Sequence, residues 1–135
     1  MPIAFDATSS GSDLSGLATS LTYSHTCTGA NRILFVSVLT AVVADRITGI
    51  TYNTVAMTLV DKLQFSEGGV DLFNYLFVLV NPASGANDVV VSASSGTSMW
   101  SVSESLTGAK QSSQPDSKNT GSVAGTTLTL STTVV

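Results

Sequence analysis

Leu21-Thr22-Tyr23-Ser24-His25-Thr26-Cys27-Thr28 alternates large side chains with small hydroxyls at every second position. Successive side chains of a strand point to opposite faces, so Leu21, Tyr23, His25 and Cys27 share one face and the four hydroxyls share the other. A helix would scatter the same residues around its circumference. Downstream, Gly29-Ala30-Asn31 reads as a turn and Ile33–Val43 as a strand. Ile47–Tyr52 and Val55–Leu63 follow, joined by a turn at Asn53-Thr54. Glu67-Gly68-Gly69 turns the chain into Val70–Val80. Asn81-Pro82 and Gly85-Ala86-Asn87 frame a connection to a strand opening at Val89-Val90-Val91. Ser94-Ser95-Gly96 reads as a further turn, Ser98–Leu106 as a strand, 108–125 as a long loop and Thr126–Val134 as a last strand. Residues 7–19, rich in Ser, Gly, Ala and Thr, read as a loop. No window carries a 3.6-residue apolar stripe. About eight short strands at this spacing predict one all-β domain over 1–135, an antiparallel β-sandwich of jelly-roll type.

Two strands break the alternation. Ile33–Val43 and Val70–Val80 are apolar on both faces. A core consumes one face, and the other needs cover from a loop or a second subunit. The row Leu34, Val36 and Val38, with Phe73, Tyr75 and Phe77, is the expected interface, and a second copy of the chain or another protein is the expected partner.

Charge narrows the function. The chain has 135 residues, 43% of them hydrophobic and only 10% charged, with net charge −4. Serine and threonine fill the polar positions instead. The five basic residues, Arg32, Arg46, Lys62, Lys110 and Lys118, are scattered, so no stripe exists to neutralise phosphates and nucleic acid is not expected as a partner. The apolar run Ile33–Val43 is shorter than the ~20 residues a membrane-spanning helix needs. With one cysteine, Cys27, no internal disulfide forms. Met1-Pro2-Ile3 opens no basic and apolar leader, so the expectation is synthesis in a reducing cytoplasm without a signal peptide.

Few groups could carry chemistry. His25 and Cys27 lie two residues apart on one strand face, but a structural zinc site needs about four ligands and no second His or Cys exists. Packing in the core is the simpler reading. No Gly-x-Ser-x-Gly elbow occurs. Glu67 and Asp71 flank a Gly-Gly turn. Glu104 shares a face with Trp100, Val102 and Leu106, which predicts an inward carboxylate paired to Arg32 or Arg46, or one at a strand end near water. Catalytic residues, metal and cofactor are expected to be none. Trp100 and Tyr52 are candidates for stacking a glycan.

A set of linked phrases adds a resemblance: Ser24-His25-Thr26-Cys27-Thr28-Gly29, Asn31-Arg32-Ile33-Leu34-Phe35-Val36, Ile47-Thr48-Gly49-Ile50-Thr51-Tyr52 with Val55-Ala56-Met57-Thr58, Asn81-Pro82-Ala83-Ser84-Gly85, Asn87-Asp88-Val89-Val90-Val91 and Ser105-Leu106-Thr107-Gly108-Ala109-Lys110. From Phe5 onward the chain resembles a group of β-sandwich domains found in bacteriophage and environmental bacterial proteins. The resemblance implies a fold and attaches no catalytic residues. The group usually carries Tyr-(Gly/Asn)-Gly-Val where this chain has Tyr52-Asn53-Thr54-Val55. A type I′ turn needs φ > 0 at both central positions, which β-branched Thr resists, so another turn type or a bulge is expected. The function implied is a non-enzymatic virion structural protein (capsid decoration, fibre or tail-associated) at the virion surface. The alternative is an extracellular carbohydrate-binding or adhesin module.

Overall fold

A computed structural model describes residues 2–114 and 117–119. Seven strands follow in order: β1 (Ala4–Cys27), β2 (Ile33–Ala41), β3 (Ile47–Tyr52), the two-residue β4 (Val55–Ala56), β5 (Thr58–Glu67), β6 (Val70–Val80) and β7 (Gly85–Thr107). The described residues contain no helix. The expected strand Thr126–Val134 lies outside them.

The predicted sandwich is not formed. All described strands belong to a single antiparallel sheet, β4-β3-β7-β2-β6-β5 with β1 also on β7, which curls into a nearly closed barrel. The reason lies in two long strands. β1 and β7 pair from Ala4↔Thr107 to Cys27↔Gly85, while β2 and β3 follow each other along the other edge of β7. Residues 7–19 and Ser94-Ser95-Gly96, expected to be a loop and a turn, therefore lie in strands. Their Ser and Gly content marks a bend rather than a break, because small side chains let a strand fold sharply. Register shifts between Asp13 and Ala18 and between Ala18 and Ser20 place the bend. It brings the two halves of β1 face to face. A Cβ on Gly11 would stand 2.6 Å from Cδ1 of Tyr23, so only glycine fits the inner face there.

Inside the curl, one core cluster joins Leu34, Val36 and Val38 of β2, Phe73, Tyr75 and Phe77 of β6, and Val89 and Val91 of β7, among others. These first six are the residues expected at an interface. They are buried, so the two apolar rows have the opposite assignment. The outward row of β2 and β6 contains Ile33, Phe35, Leu76, Val78 and Val80, which form a second, smaller cluster with Val60, Leu106 and Ala109. The chain after β7 covers one end of this row: Gln111 Nε2 donates to Arg32 O at 3.1 Å and Lys118 Nζ to Val60 O at 2.6 Å.

β7 also presents its faces contrary to expectation. Met99, Ser101, Ser103 and Ser105 point inward and are buried, while Trp100 and Val102 are 40% and 51% exposed. Glu104 is therefore outward, not inward. Neither arginine pairs with it: Arg32 donates to the carbonyls of Pro82 (2.9 Å) and Gly29, and Arg46 to that of Gly96.

Candidate functional site

Three places concentrate polar or exposed groups. The first is an interior seam between the halves of β1 and the inner face of β7. Tyr23 Oη lies 2.7 Å from Ser101 Oγ and 2.6 Å from Ser103 Oγ. His25, 1% exposed, places Nδ1 3.0 Å from Ser9 Oγ. Its Nε2 is buried with no partner among the described residues. A bulge between Phe5 and Ala7 turns Asp6 toward this seam, where it accepts from Thr28 N and Ser105 Oγ, both at 2.8 Å, and from Thr28 Oγ1. Burial pushes the His25 pKa below its ordinary value, with Asp6 opposing. Burial raises Asp6, but the hydrogen bonds of Thr28 and Ser105 outweigh it and hold the carboxyl below the usual range. Cys27 shares the expected face with His25, and burial raises its thiol. The His25 ring is thus a packed group whose burial favours the neutral form.

The second place is the outer face of β7, β2 and β6. Register sets Trp100 opposite Leu39 on β2 and Ser12 on β1, and Val102 opposite Ser37 and Ser10. Tyr52, the other stacking candidate, is fully buried on β3. Its Oη lies 3.2 Å from His25 O and 3.0 Å from Gly85 O, and burial pushes its pKa up to about 12. Trp100 and Tyr52 therefore never form one platform. Sequence alternation identified the rows correctly but not which row is outside.

The third place has no precedent in the sequence reading beyond the unusual turn. Asn53 and Thr54 both adopt positive φ, 47° and 65°. This is the type I′ geometry that Thr54 was expected to prevent. Asn53 N donates to Asp88 O at 3.1 Å, fixing the turn against β7. Beside it opens a hollow of about 310 Å³, lined by Thr51, Asn53, Thr54, Asn87, Asp88 and Val90.

Comparison with family models, with curated proteins and with solved structures finds no match for this chain.

Proposed function

We propose that the chain is a non-catalytic virion structural domain, a decoration, fibre or tail-associated piece, that works by contact between copies of itself. One observation carries the reading: along the second half of β7, serines fill the inside while Trp100 and Val102 face out. A core would gain about 1.5–3 kcal/mol from each large apolar side chain it buried. Here that gain is forgone inside, and it becomes available to a neighbour. Phe35, Leu39 and Leu76 extend the same face on β2 and β6, half-buried. Low surface charge leaves little repulsion against association. The phage-like phrases of the sequence support the virion setting. The burial of His25, the sole histidine, fits a structural rather than a catalytic use.

Mass by light scattering across the micromolar range tests this. The expected result is an oligomer that Trp100→Lys and Val102→Lys each convert to monomer, with the far-UV spectrum unchanged. A wild-type protein that stays monomeric at the highest soluble concentration removes the proposal.

A further inference from the structure

We infer that the hollow beside the β3–β4 turn binds one neutral sugar residue. The inference stands apart from the association proposed above, because the hollow uses none of the side chains on the Trp100 face. Its first support is conformational. Thr54 holds a β-branched side chain at φ 65°, where glycine would sit without strain. Non-glycine residues kept in that region cluster at ligand sites, where the side chain has a use that offsets the strain. Thr54 lines the hollow.

The second support is chemical. Thr51, Asn53, Thr54 and Asp88 also line it; the last three are exposed, so their polar groups are open to a ligand from solvent. Two hydroxyls, an amide and a carboxylate supply the alternating donors and acceptors that vicinal hydroxyls require. Asn87 is held in place by its Nδ2, which lies 3.3 Å from Tyr52 Oη and 3.3 Å from Gly85 O. Ala86 and Val90 add small aliphatic surface on which the C–H face of a sugar ring can rest.

Size and charge narrow the ligand. The hollow, about 310 Å³, sits at the small end of ligand sites and fits one ring rather than an oligosaccharide. Its lining has one acid, Asp88, and no base. An anionic sugar would meet an unopposed carboxylate, so the lining disfavours an anion and suits an uncharged ring.

Titration of the full chain, followed by amide NMR, is the test. Glucose, galactose, mannose and N-acetylglucosamine are added separately to tens of millimolar, with sialic acid as the anionic counterpart. At least one neutral sugar is expected to give saturable shifts at Thr51, Asn53, Thr54 and Asp88, and sialic acid none. Asp88→Asn and Thr54→Gly should each weaken binding by about tenfold or more, through loss of hydrogen bonds to the ligand. Thr54→Gly should do so without lowering the melting temperature, which separates lost contact from lost fold. Absence of saturable shifts with all four neutral sugars overturns the inference. So do shifts centred on Trp100, or equal binding by Thr54→Gly. The association of the Trp100 face is read separately by mass, so either proposal can fail alone.

Discussion

His25 is a buried group whose protonation opposes the fold. Its folded pKa lies below the ordinary 6.5 because burial disfavours the charged ring. The unfolded chain therefore binds the proton more readily. The stability His25 contributes is complete above pH 6.5 and declines as pH falls from there through the lower folded value. Asp6, also depressed, adds a second loss only below its ordinary 3.8. Thermal melts between pH 8 and 5 should show a falling midpoint below about 6.5 that His25→Leu flattens. A profile unchanged by that substitution would assign the acid sensitivity elsewhere. Two backbone positions make opposite predictions. Gly11→Ala places a methyl into the Tyr23 ring and should cost about 1–3 kcal/mol in urea unfolding. Thr54→Gly relieves a positive φ and should gain about 1 kcal/mol in the same assay.

At the level of elements, the strands were legible and their faces were not. Period-2 alternation located β2, β3, β5 and β6 within a few residues. It cannot say which row meets the core, and apolar content suggested the wrong one for β7. The inward serines escape the rule because Tyr23 reaches across to them: its Oη lies against both Ser101 and Ser103. That pairing joins residues some eighty positions apart, as the 80-residue separation of Tyr23 and Ser103 records, and no local pattern contains it. Composition also hid the length of β1 and β7, since Ser and Gly serve a bent strand and a loop alike. The sugar hollow was legible only as an awkward Thr54 in a glycine position. Tyr23→Phe leaves the buried Ser103 hydroxyl without a partner among the described residues, and Ser101 Oγ with only its 3.3 Å bond to Ser37 O, and should cost about 1–3 kcal/mol. Adding Ser101→Ala and Ser103→Ala should recover part of that loss, because no unmatched hydroxyl then remains. A triple variant less stable than Tyr23→Phe alone would show that the serines have other work.

For the whole molecule, the closing contacts join the ends of the described chain. Asp6 meets Ser105 at a separation of 99 residues, and β1 pairs with β7 along nearly its full length. Such non-local pairing predicts slow folding, on the order of milliseconds to seconds, rather than the microseconds of helical bundles. Stopped-flow tryptophan fluorescence measures it through Trp100, which lies in β7 between β1 and β2. A refolding phase complete within the instrument dead time would contradict the expectation. The same arrangement has a consequence during synthesis. Of the described strands, β1 leaves the ribosome first, and β7, its only described strand partner, is made last. At about 5–20 residues per second, β1 waits several seconds for its mate. Meanwhile β2 and β6 can already pair with each other, their inner rows still without the strands that will enclose them. While residues 81–107 are being made, the nascent chain therefore carries this apolar row bare, and a neighbouring chain on the same message is a surface it can stick to.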